Sequence, residues 1–94
     1  MQVKWLRTAL TNLIDEADYI AEENPKAANE FVGQIMGSIE QLAAYPSLGR
    51  PGRIFGTREL VVSGYPYIIP YRVKNETVEI LRIFHTSRRW PRKF

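Results

Sequence analysis

The spacing of apolar residues along this chain changes period twice, and each change predicts an element. Val3 and Trp5 alternate within Gln2–Leu6, the period of a short strand. Beyond Thr8, which is placed to cap a helix, Leu10, Leu13, Ile14, Ala17, Ile20 and Ala21 recur at three and four residues. Asp15, Glu16, Asp18, Glu22 and Glu23 fall largely outside that stripe, so an amphipathic helix is predicted. Asn24-Pro25 reads as the N-cap and first residue of a second helix, because proline has no N–H to lose there and its φ is already helical. Its stripe is Ala28, Phe31, Val32, Ile35, Ile39, Leu42 and Ala43, and it stops before Tyr45-Pro46, since a residue preceding proline avoids the helical region. The two helices should form a tight hairpin, with Gly33 and Gly37 allowing close approach to a neighbour and with Trp5 and Tyr45 in the core.

The period then shortens to two. Pro46–Arg53 is rich in glycine and proline and marks a join. Strands are predicted near Thr57–Ser63, Tyr67–Val73 and Thr77–Phe84, with Lys74-Asn75-Glu76 as a hairpin turn. Pro66 and Pro70 remove two ladder donors, so each must sit at a strand start, a bulge or an edge-facing position. The order strand, helix, helix, strand, strand, strand makes residues 1–94 a single α+β domain of βααβββ type, a helical hairpin packed on a small, mostly antiparallel sheet.

Composition narrows the chemistry. The chain has no cysteine, which removes thiol nucleophiles, disulfides and thiolate metal sites together, and one histidine argues against a zinc centre. No metal or cofactor is expected. No apolar run approaches the roughly 20 residues of a membrane span, so the chain reads as soluble and unexported. Charge is uneven. Residues 1–46 carry Lys4, Arg7 and Lys26 against seven carboxylates, a net of −4; residues 47–94 carry ten cations against Glu59, Glu76 and Glu79, a net of +7. Eight of those ten cations are arginines, whose planar fork grips phosphate or carboxylate in bidentate fashion. An anionic or protein partner is expected for the second half.

The chain resembles the RelE/ParE superfamily of toxins from bacterial toxin–antitoxin operons over almost its whole length. The residues that carry the likeness are Val3-Lys-Trp-Leu, the acidic helix ending Asp18-Tyr-Ile-Ala-Glu, Ile39 through Gly52, Arg58-Glu-Leu-Val-Val, Pro66 through Val73 and Val78 through Pro91. The resemblance implies a small basic cytoplasmic toxin held inactive by a cognate antitoxin whose C-terminal region wraps around it. Two activities share the fold: ParE-like members poison DNA gyrase, and RelE-like members cleave mRNA on the ribosome. Laid on the RelE-like pattern through Tyr71, this chain has Ile68 at the arginine position, Glu59 and Val61 at the lysine positions, and only Arg88 clearly in place. The tyrosine position falls near Phe94. The Tyr67–Val73 strand and the His85-x-x-Arg88-Arg89-Trp90 end look more like the ParE branch, so a gyrase poison that is not an enzyme is favoured.

That choice sets the candidate residues. Arg58, Arg82, Arg88, Arg89, Trp90 and Arg92 are expected to bind the target or the antitoxin, and His85, Arg82 and Arg88 would form the catalytic set of an endoribonuclease, with His85 as acid and the arginines as phosphate clamp. Plainer roles stand beside these: a hydrogen-bonded structural histidine, cations solvating a chain end, and Arg50 and Arg53 keeping a turn soluble. Alternation places Arg82 and Phe84 on one face and His85 on the other, so a shared site for Arg82 and His85 requires a bulge. A small basic nucleic-acid- or protein-binding module without toxicity is the third functional class.

Overall fold

The first strand passes into the first helix without a polar cap. Strand β1 spans Gln2–Trp5 and helix α1 spans Arg7–Ala21, in a computed structural model that describes residues 1–87 of the chain. Leu6 is the N-cap in extended backbone, and no side chain caps the helix. Its N–H still bonds the Ile80 carbonyl at 3.1 Å while its own carbonyl accepts from Leu10. The ladder thus fixes where the helix starts, and Thr8 lies within the first turn rather than capping it. Helix α2 spans Pro25–Ala44, and there the expected device is present: Asn24 Oδ1 accepts from the Ala27 N–H at 3.1 Å with Pro25 at N1.

Strands β2 (Arg50–Pro51), β3 (Arg58–Val61), β4 (Tyr67–Lys74), β5 (Thr77–Ile80) and β6 (Phe84–His85) complete a sheet of order β1-β5-β4-β3-β2, with β6 also on β4. All pairings are antiparallel except that of β1 with β5. Asn75 and Glu76 both take positive φ in the two-residue turn between β4 and β5, the backbone of a tight hairpin. β2 is an addition to the expected pattern: two residues of the turn segment pair with Arg58 and Glu59.

Tyr67, Ile69 and Tyr71 of β4, with Leu60, Val62, Val78, Ile80 and Ile83, meet Phe31, Ile35, Ile39 and Leu42 of α2 and Ala9 and Leu13 of α1 in one core. Burial of each large apolar side chain there contributes about 1.5–3 kcal/mol. Trp5 packs partly buried against this core, as expected, whereas Tyr45 is exposed. The stripe of α1 is rotated from its apolar reading. Leu10 and Ile14 are about half exposed and Glu16 is buried. Tyr67 explains the exchange, because its hydroxyl donates to Glu16 Oε2 at 2.8 Å and gives the carboxylate a buried partner. Gly33 and Gly37 meet nothing within 4 Å of a Cβ position, so close packing does not account for them.

The predicted strand Thr77–Phe84 is broken in two. Tyr71 faces Ile80, but Tyr67 faces His85, so the second strand holds one residue more than β4 between those pairs. This is a bulge at 81–83. Pro70 accepts from the Leu81 N–H at 3.0 Å, so its own N, which carries no hydrogen, points to the same neighbour. The ladder fails where that donor is missing. Ile83, whose N–H leaves the ladder, donates to Asn12 Oδ1 of α1 at 3.3 Å.

Candidate functional site

The bulge decides where His85 goes. The extra residue places His85 opposite Tyr67 on the helix-facing side of the sheet and Phe84 opposite Ile68 on the outer side. The imidazole lies edge-on to Tyr67 with centroids 5.1 Å apart, and Tyr67 in turn contacts Phe31 at 4.9 Å. A relay of rings therefore joins α2, β4 and β6, and the Tyr67 hydroxyl extends it to Glu16 on α1. Nδ1 of His85 accepts from the Ser87 N–H at 3.2 Å and lies 2.7 Å from Ser87 Oγ. A backbone N–H only donates, so the neutral ring carries its proton on Nε2.

A second polar cluster lies at the other end of β3. Glu59 is buried and receives Arg50 through Nε at 3.4 Å and Nη2 at 3.3 Å, the Arg53 N–H at 2.9 Å, and Arg53 Nε at 3.9 Å. Arg50 and Arg53 thus do more than keep a turn soluble: they close the 50–59 hairpin around a buried carboxylate. Arg58 Nη1 donates to the Gly49 carbonyl at 2.7 Å, and Tyr71 Oη accepts from the Gly49 N–H at 2.8 Å while donating to the Pro46 carbonyl at 2.7 Å. Gly49 is required there, since a Cβ would stand 2.6 Å from the Tyr71 ring and hydroxyl. Burial pushes the Tyr71 phenol up, with the Gly49 N–H and the Arg58 charge pulling the other way. On the outer face, Arg72 pairs with Glu79, and that hydrogen bond holds the Glu79 carboxyl below the usual range.

The sequence-derived candidates are not gathered in one place. Arg58 faces Tyr71 and His85 faces Tyr67, four residues apart on β4, roughly 14 Å at strand rise. Arg82 is half-buried in the bulge. Arg88, Arg89, Trp90 and Arg92 lie outside the described residues. Among the described residues no group of three or more His, Cys, Asp or Glu is placed to hold a metal ion, and no helix is long and apolar enough to cross a membrane.

Residues 3–90 match the family described as the ParE toxin of the type II toxin–antitoxin system parDE. The chain belongs to the ParE toxin family. It is 44% identical over 90 residues to Y4kP of Sinorhizobium fredii, covering 96% of this chain and 93% of that protein. It is 39% identical over 87 residues to Toxin RelE2 of Caulobacter vibrioides, covering 93% and 97%. Among solved structures it resembles a chain of the chromosomal ParDE TA system from P. aeruginosa, with a TM-score of 0.82, 32% identity and coverage of 93% and 97%.

In this ParE-family chain three apolar residues form a row across β3, β4 and β6. Val61 of β3, Ile68 of β4 and Phe84 of β6 are neighbours in register on the outer face of the sheet, with Val61 exposed and Phe84 half-buried. Glu59, beside Pro70 on the same face, is committed to Arg50 and Arg53. Sequence reasoning missed Glu16, Tyr67 and Glu59 as a polar framework. An acidic residue one helical turn from Leu13 and Ile20 was the available signal for Glu16; Glu59 carried none, since its partners lie across a loop.

Proposed function

We propose that this ParE-family chain is the toxin of a type II toxin–antitoxin pair, that it halts growth by poisoning DNA gyrase, and that a cognate antitoxin neutralises it. The observation that carries the choice of target is the apolar row Val61–Ile68–Phe84. Within it Ile68 and Val61 stand where the RelE-like pattern has its arginine and one of its lysines, and apolar side chains there offer nothing to the charge that develops on a phosphate during cleavage. Ile68 is buried within the row, and the exposed Val61 with the half-buried Phe84 beside it would suit contact with a protein surface instead. The toxin would act as a ligand that prefers the cleaved state of the enzyme and shifts the equilibrium toward it. Arg58, Arg82, Arg88, Arg89, Trp90 and Arg92 would make the contacts to gyrase or antitoxin. The antitoxin would present an acidic, partly apolar segment, by strand addition at a sheet edge or by a helix laid in a groove.

Ribosomal RNA cleavage is the second reading, and one feature favours it. With Nδ1 turned to Ser87, His85 has Nε2 left to face a substrate, and the ring in its charged form could give a proton from there to a leaving 5′-oxygen. The substitution His85→Ala separates the two readings. Removing the edge-on contact to Tyr67 costs about 0.5–1.5 kcal/mol, so the variant should stay folded by circular dichroism. Growth inhibition after induction should then persist within a few-fold of wild type, whereas loss of a general acid would lower activity by about 10²–10⁴-fold. Complete loss of toxicity in the folded variant would make the chain an endoribonuclease.

A further inference from the structure

The hairpin between β2 and β3 holds a feature that neither the core nor the proposed cationic surface uses. Phe55 is wholly exposed, the most exposed large apolar residue among those described. Its position is fixed by the backbone. The Thr57 N–H bonds the Ile54 carbonyl at 3.1 Å, Thr57 Oγ1 donates to the same oxygen at 2.6 Å, and Gly52 N–H bonds the Thr57 carbonyl at 2.8 Å. Gly56 has φ +81, which completes a turn with Phe55 and Gly56 at its two central positions. Gly52 admits no side chain, because a Cβ would run into Thr57 Oγ1. An aromatic ring held in water on a hydrogen-bonded turn is a preorganised contact, since little freedom remains to be lost when something covers it.

The charges around that ring indicate what covers it. Residues 46–59 carry Arg50, Arg53 and Arg58 against Glu59, a net of +2. Glu59 grips Arg50 and Arg53 from the buried side, yet their side chains remain 54% and 56% exposed. Arg58 is held by the Gly49 carbonyl on the neighbouring turn. Three arginines thus stand at fixed positions along a short hairpin whose tip presents a bare aromatic face. Cations that track a phosphate backbone, interleaved with a ring on which a base can stack, are the two components of single-stranded nucleic-acid binding. We infer that the Arg50–Arg58 hairpin is a nucleic-acid-binding finger, with Phe55 stacking on an unpaired base and Arg50 and Arg53 lying against the adjoining phosphates. The finger is independent of whether gyrase or the ribosome is the target.

The test uses the purified full chain and a fluorescently labelled single-stranded oligonucleotide, followed by anisotropy, with a duplex of the same length in parallel. Single strand should bind more tightly than duplex. Phe55→Ala should weaken single-strand binding by about tenfold, in line with the contribution of one stacked base, while Phe55→Tyr keeps it. Since Phe55 contacts water, neither variant should alter thermal unfolding. Affinity should fall with added salt, with the same slope in Phe55→Ala and a shallower slope in Arg53→Gln, which leaves Arg50 and the residue-53 N–H on Glu59. Equal binding of single strand and duplex, or a Phe55→Ala variant that binds like wild type, would overturn the stacking role. Loss of toxicity in Phe55→Ala with oligonucleotide binding unchanged would assign the ring to a pocket on a protein partner and overturn the inference as well.

Discussion

Tyr71 shows how much one side chain can organise here. Its ring is fully buried in the core, and its hydroxyl ties the chain leaving α2 to the sheet through Gly49 and Pro46. The fold holds the neutral phenol, because the bond to the Pro46 carbonyl needs the proton. Burial, the dominant influence, raises the folded pKa above the ordinary value of 10.0, with the Gly49 N–H and Arg58 working against it. The stability linked to that proton is therefore complete below about pH 10 and is lost as pH rises through the raised folded value. Tyr71→Phe should cost about 1–3 kcal/mol at neutral pH by stranding the Gly49 N–H. It should also flatten the loss of stability above pH 10, as read from urea unfolding at a series of pH values. At this scale the sequence was least legible. Glu16 and Leu10 exchanged places because a tyrosine 51 residues away offers the carboxylate a partner; the spacing from Leu13 and Ile20 set Glu16 beside the stripe, but nothing local named that partner. Tyr45 follows a helix end and points to solvent, although its type suggested the core.

The elements themselves were readable wherever one local rule governed them. Asn24-Pro25 starts α2, Tyr45-Pro46 ends it, and the strand and helix periods place β1, α1, β3, β4 and β5 within a few residues of their observed spans. Pro70 carried the signal for a bulge, but the partner strand that would absorb it was not evident until the register was known. The two classes of glycine make a direct check. Gly33 lies in the exposed face of α2 with open space around it, so Gly33→Ala should stabilise the protein by about 1 kcal/mol. Gly49→Ala should instead destabilise by about 1–3 kcal/mol, because the new methyl meets the Tyr71 ring and the Glu59 carbonyl. Thermal unfolding of the two variants beside wild type reads both. A reversal of the two signs would mean that α2 is packed on its outer face and the 46–53 turn is loose.

For the whole molecule, the division of charge along the chain becomes a division between layers. The segment with net −4 forms β1 and the helical hairpin, and described residues 47–87, with six cations against three carboxylates and so a net of +3, contribute the rest of the sheet and its turns. On the proposed function, a basic sheet backed by an acidic helical layer would present one side to anionic partners and repel them from the other. Family and layer order were legible from composition and motif order. The candidate site was legible only in part: residue types pointed to His85 and the arginines, but only register separates Arg58 from His85 and aligns Val61, Ile68 and Phe84. The most direct test of gyrase poisoning is to induce the chain alone in bacteria and quantify gyrase covalently trapped on DNA, with a matched culture co-expressing the antitoxin. Trapped gyrase that rises on induction and falls to background with antitoxin is the expected result; growth arrest with no trapped gyrase and with cuts in ribosome-bound mRNA would contradict it.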